Sequence, residues 1–238
     1  MLCVSARPGA EEVVVREELD RVIPVITRIR QDSDIPISID TRHSAVAEAA
    51  IRAGADIVND VSGGTHDPKM LSCVASLGVP IIIMHMRGNP KTMQTLTNYG
   101  KGTPCGGGVV PVVATELMQR SAAAEAAGIP RWLQVLDPGI GFAKDVNGNL
   151  SLMNGADTLR EYCGNLPFLF GPSRKGFIGK ITGEADPKER DSGTIAACLA
   201  SIQNGDRDIE SCDMLRVHNV KAVKQAVLVY EAIRNANQ

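Results

Sequence analysis

Short apolar runs alternate with longer helical patterns along this chain, and that alternation restricts its fold more than any other feature. Residues 36–40 (PISID), 55–60 (ADIVND), 79–85 (VPIIIMH), 132–136, 167–170 and 214–217 read as strands. Helical patterns follow them at 45–53, 67–77, 112–127, 150–162, 187–203 and 220–233, several stopped by a glycine such as Gly54, Gly78 or Gly128. Leu2-Cys3-Val4 reads as the end of a further strand, followed by a helix over 11–30. Strict strand–helix alternation means a parallel sheet with helices packed outside it. A doubly wound sheet and a (β/α)8 barrel both satisfy the pattern. Many short units with one active face favour the barrel, for which about 250 residues is usual. Seven units are countable and the first is a stub, so the expectation is an α/β, TIM-type barrel truncated at its N-terminus. The first strand and most of the second would be missing.

The 238 residues show no charged linker and no composition shift, so 1–238 is read as one domain. Lys and Arg number 25 against 27 Asp and Glu, and aromatics make up 3%. A net charge of −2 with so few stacking side chains argues against nucleic acid and against a membrane surface as partner. No apolar run reaches spanning length and no basic segment precedes an apolar one at the start, so a cytoplasmic location is expected. The six cysteines form no CxxC pair and read as reduced, mostly buried thiols. The one long irregular stretch, 87–108, has the length of a functional loop.

The residues that close the strands carry the functional signal. They are Asp40-Thr41, Asn59-Asp60, His85-Met86-Arg87, Asp137-Pro138-Gly139, Ser173-Arg174-Lys175 and Arg216-Val217-His218. In a barrel these ends meet on one face, where polar groups read as a binding site. Asp40, Asn59 and Asp137 supply acceptors and an amide suited to a heterocycle with amino and ring N–H donors. Lys175, Arg174, Arg216 and Arg7 suit a phosphate or carboxylate. Met84, Phe142 and Phe170 are candidate apolar walls. Taken singly, each feature has a plainer reading: Asp137-Pro138-Gly139 as a turn, Arg174-Lys175 as a solvated pair, His218 as a core histidine. His43 and His66 suggest no role.

As an ordered set, Ser5-Ala6-Arg7-Pro8-Gly9, Ile39-Asp40-Thr41, Asn59-Asp60-Val61-Ser62-Gly63, Met84-His85-Met86-Arg87-Gly88, Asp137-Pro138-Gly139-Ile140-Gly141-Phe142, Gly171-Pro172-Ser173-Arg174-Lys175 and Arg216-Val217-His218 resemble dihydropteroate synthase. The resemblance spans nearly the whole chain. It implies a (β/α)8 barrel that joins 6-hydroxymethyl-7,8-dihydropterin diphosphate to 4-aminobenzoate in folate synthesis, a step targeted by sulfonamides. It implies that Asp40, Asn59, Asp137 and Lys175 hold the pterin, with Val61, Met84, Phe142 and Gly171 lining its slot. It further implies Arg216 and His218 at the diphosphate, with Lys175, Arg216 and His218 as the catalytic cations. Ser5, Arg7, Pro8, Phe142 and Ser173 would lie at the aminobenzoate. Mg2+ is implied as cofactor, as are a homodimer and membership of a longer multifunctional folate-synthesis polypeptide.

The family's first strand and loop, which supply an Asn at the diphosphate and metal, have no counterpart here. No metal ligand is therefore assigned, and the isolated chain is expected to be marginally stable and weakly active or inactive. Ala6 replaces a usual Thr, and Asn219 a common Asp. Two other readings stand beside the synthase: a degenerate pterin-binding chain without catalysis, and a methyltetrahydrofolate-dependent methyltransferase.

Overall fold

The computed structural model describes residues 2–3, 13–100, 107–203 and 211–236. Seven strands alternate with helices. They are β1 (Leu2–Cys3), α1 (Val15–Asp32), β2 (Ser38–Asp40), α2 (Ser44–Arg52), β3 (Ile57–Asp60), α3 (Met70–Leu77), β4 (Ile81–Met84), α4 (Val109–Ala126), β5 (Gln134–Asp137), α5 (Val146–Asn154), α6 (Ala156–Tyr162), β6 (Leu169–Phe170), α7 (Gly176–Thr182), α8 (Asp191–Gln203), β7 (Met214–Leu215) and α9 (Val220–Asn235).

Every pairing is parallel. Strands β1 to β5 lie side by side in chain order, β6 pairs with β7, and a Leu136–Phe168 bridge joins the two groups. A doubly wound sheet reverses its strand order at a switch point. Here no reversal occurs, and the described strands are the consecutive staves of a TIM-type barrel. Around them α1 packs on α2, α2 on α3, α3 on α4, α4 on α5 and α6, and α8 on α9.

The strand sequences explain their burial. Ile81-Ile82-Ile83-Met84 is buried throughout, as is Gln134-Val135-Leu136-Asp137. A parallel strand covered on both faces needs an unbroken apolar run rather than alternation. The two faces nevertheless have different company. Ile39, Val58, Ile81, Ile83, Leu136, Phe168 and Phe170 join the large core with the outer helices. Ile82, Val135 and Leu169, with Ile57 against them, form a separate small cluster. Successive side chains alternate across a strand, so that cluster fills the barrel interior. In register above or beside it come Asp40, Asn59, Met84 and Asp137.

Several expected boundaries move. The helix expected at 150–162 is two helices meeting at Gly155. The one expected at 187–203 begins as a tight turn at Pro187–Arg190 before α8. Residues 131–133 form a short 3-10 turn, which delays β5. Helix α7 was not expected, because two glycines in seven residues hide its pattern. Phe170 is also corrected as a site wall: it is fully buried in the outer core beside Phe168, and its neighbour Leu169 points inward. Cys163, Cys198 and Cys212 are buried free thiols and Cys73 is partly buried, in line with the reduced reading. Among the described residues no helix is long and apolar enough to cross a membrane.

Candidate active site

The polar strand ends converge as the barrel pattern requires. Asp40 closes β2 directly beside Asn59 of β3, and Asp137 closes β5 beside Met84 of β4. Asn59 is completely buried, and neither its Oδ1 nor its Nδ2 has a hydrogen-bond partner among the described residues. A buried amide left in that state costs about 1–3 kcal/mol, so such groups are rare outside sites built for a ligand.

Asp137 is better held. Its Oδ1 accepts from the Gly139 N–H at 2.7 Å and its Oδ2 from Arg216 Nη2 at 3.2 Å. The turn that follows depends on glycine. Gly139 has φ +68°, and a Cβ there would stand 2.0 Å from the His85 carbonyl oxygen. Asn149 braces the same turn by accepting the Gly141 N–H at 2.6 Å.

Lys175 stands at the start of α7, where its Nζ donates to the Ile140 carbonyl and lies 4.7 Å from the Phe142 ring centre. Burial, and after it the charge of Arg216, pulls its ammonium down to about 7, against the pull of Asp137 and Asp40. Four charged groups, Lys175, Arg216, Asp137 and Asp40, thus act on one another in one mouth. Phe142 also packs on the cluster of Val61, Met84, Met86, Met93 and Ala143, which makes an apolar wall in contact with the Lys175 ammonium.

Gly171 follows β6 and admits Arg216: a Cβ there would be 3.1 Å from Arg216 Nε. Ser173 is buried with its Oγ 2.8 Å from His218 Nδ1, and it accepts the His218 backbone N–H at 3.2 Å. Arg174 does not join the group. Its guanidinium makes a two-point contact with Asp191 at 2.7 and 3.0 Å, and Asp191 also accepts from Asn219. The expectation that Arg174 serves as a free cation of this face is therefore corrected. Ser5, Arg7 and Pro8 lie outside the described residues. The structure adds groups that sequence reasoning passed over, Glu116, Lys144 and Asn149, and it places the strand-end His85 in contact with Glu116 and Lys144.

The model of the pterin binding enzyme family matches residues 3–218 of the chain. A dihydropteroate synthase of Synechocystis is 45% identical over 233 residues, covering 96% of this chain and 74% of that protein. The chain belongs to the dihydropteroate synthase family. A folic acid synthesis protein of Pneumocystis carinii is 46% identical over 232 residues; the match covers 96% of this chain but 30% of that longer relative. The crystal structure of Yersinia pestis dihydropteroate synthase with a sulfonamide drug complex superposes with a TM-score of 0.87 at 33% identity, covering 97% of this chain and 78% of that one. Of the residues singled out in the sequence, Asp40 and Asn59 end neighbouring strands, as do Met84 and Asp137, and the charges of Asp40, Asp137 and Arg216 act on Lys175. Among the described residues no three His, Cys, Asp or Glu side chains are grouped to hold a metal ion.

Proposed function

We propose that this chain condenses 6-hydroxymethyl-7,8-dihydropterin diphosphate with 4-aminobenzoate, giving 7,8-dihydropteroate and diphosphate. The observation that carries this reading is the Asn59 amide, fully buried and without a hydrogen-bond partner among the described residues, in the barrel mouth beside Asp40. A pterin edge offers amino and ring N–H donors next to a carbonyl acceptor. Asn59 matches both kinds of group, Asp40 and Asp137 accept the donors, and Lys175 donates to the carbonyl. Val61, Met84, Phe142 and Gly171 line the flat faces of the ring.

The charge pattern supports the leaving-group half of the reaction. Arg216 and His218 lie on the β7 side, where the diphosphate would depart. The bond from the pterin methylene to the diphosphate oxygen breaks, and its electron pair leaves with the diphosphate. The methylene cation is conjugated with the ring and lies near Asp40 and Asp137, whose fixed charge favours it. The aminobenzoate nitrogen then forms the new carbon–nitrogen bond and loses one proton. Ser173 and Phe142 stand on the side of the slot assigned to that second substrate. No covalent enzyme intermediate is needed, which agrees with the buried thiols of Cys163, Cys198 and Cys212.

Diphosphate release, measured with and without 4-aminobenzoate in the presence of Mg2+, tests the proposal. Release that depends on 4-aminobenzoate and yields dihydropteroate is the expected result. Pterin binding without release would instead identify a binding chain that has lost catalysis.

A further inference from the structure

Behind the Asp137 turn lies a closed ring of contacts that the reaction above does not use. Lys144 is 3% exposed, and its Nζ donates to the Phe142 carbonyl at 2.9 Å and to His85 Nδ1 at 3.0 Å. His85 is completely buried and accepts at Nδ1, so its ring hydrogen sits on Nε2, 2.7 Å from Glu116 Oε2. Glu116, on α4, also accepts from Arg87 Nε at 3.1 Å. The Arg87 guanidinium lies 4.1 Å over the Tyr99 ring, and the Tyr99 hydroxyl donates to the Ala143 carbonyl at 3.0 Å. Ala143, at φ +50°, stands between Phe142 and Lys144. The ring therefore ends where it began, gripping two adjacent carbonyls of one loop.

Protonation favours this arrangement. Burial and then the nearby Lys144 charge push His85 down to about 3, which leaves its Nδ1 free to accept at neutral pH. Burial alone would raise the Glu116 carboxyl, but hydrogen bonds from His85 and Arg87 outweigh it and hold the group at about 2. Buried polar and ionic networks are weak sources of stability, because desolvation consumes most of what pairing returns. Their gain is geometric. The gripped loop carries both things that locate Lys175, the Phe142 ring and the Ile140 carbonyl.

We propose that Lys144 and His85 are positioning residues that hold the Phe142 and Ala143 carbonyls and thereby set the aromatic wall and the Lys175 ammonium of the pterin slot. The inference rests on the pterin reading of that slot. A group supported in this way keeps its place to within a fraction of an ångström, and about 1 Å of misplacement can cost roughly a hundredfold in function.

The test uses the whole chain and 6-hydroxymethylpterin as probe, with affinity read by fluorescence. Lys144→Met removes both donors, and its Kd should rise about tenfold or more. Its melting temperature should stay near that of the unmodified chain, because burial already disfavours the charged form of Lys144 and an apolar side chain of similar length replaces it. His85→Asn places an amide oxygen where Nδ1 was and should retain binding. His85→Gln mimics only Nε2 and should lose binding as Lys144→Met does. Amide hydrogen exchange over residues 139–143, measured without ligand, should quicken in Lys144→Met and His85→Gln.

Unchanged exchange there, unchanged pterin affinity, or equal behaviour of the two His85 variants would overturn the proposal. If Lys144→Met fails to fold, Tyr99→Phe, which removes one hydroxyl, should quicken the same amides. If the unmodified chain binds no pterin, the reading of the slot falls, and exchange over 139–143 alone decides whether the ring holds the loop.

Discussion

Arg216 rests against Gly171 so closely that a Cβ at position 171 would meet its Nε at 3.1 Å and its Nη2 at 3.2 Å. The same guanidinium reaches on to Asp137, so a shift of a few tenths of an ångström at Gly171 is felt at Asp137 as well. Gly171→Ala should raise the KM for the pterin diphosphate about fivefold, equivalent to about 1 kcal/mol. The Kd for 6-hydroxymethylpterin, which lacks the diphosphate, should change less. Equal losses for the two ligands would mean that the glycine serves the ring rather than the leaving group.

Asn59 sets function against stability. Replacing it with leucine removes an unsatisfied buried amide and keeps the branching and the heavy-atom count. Asn59→Leu should therefore stabilise the free chain by about 1–3 kcal/mol in urea unfolding while abolishing pterin binding. A destabilised variant would show that the amide finds partners in solution.

Lys175 makes stability depend on pH in a known direction. Its folded value of about 7 lies below the roughly 10.4 of an unfolded lysine. The charged form is penalised on folding, so the penalty is complete below about 7 and fades as pH rises towards about 10.4. Urea unfolding at pH 7.5 and 9.0 should show the chain gaining stability relative to Lys175→Met across that interval. Parallel behaviour of the two proteins would contradict the assignment. Binding of an anionic ligand above pH 7 should take up a proton, read as a buffer-dependent heat.

Two glycines with similar dihedrals should respond very differently to alanine. At Gly139 a Cβ would strike the His85 carbonyl at 2.0 Å, and backbone cannot swing aside as a side chain can. At Gly78, with φ +65°, nothing lies within 4 Å. Gly139→Ala should cost about 3 kcal/mol or more, and Gly78→Ala about 1–2 kcal/mol from left-handed backbone alone. Thermal or urea unfolding of the pair separates collision from conformational strain.

The barrel was legible because fully buried parallel strands are written as apolar runs, as at Ile81-Ile82-Ile83-Met84, and because polar residues mark where each run ends. Asp40, Asn59, Asp137 and Lys175 were found by that signal alone. What stayed hidden depends on facing or on distance. A two-residue strand has no period, so Phe170 was placed on the wrong side. Arg174 looks like its neighbour Lys175 until Asp191, far along the chain, is seen to hold it. Glu116 meets His85 from a helix 31 positions away, and no local pattern announces that meeting.

The cations of the mouth already have companions. Lys175 is engaged by the Ile140 carbonyl and the Phe142 ring, and Arg216 by Asp137. An arriving anion must share these cations with the contacts they already make. Inorganic phosphate offers only charge in exchange, whereas a ligand that also satisfies Asn59 brings a second, independent gain. Under the proposed reaction, that second gain is what sets a diphosphate carrying the right ring apart from abundant small anions.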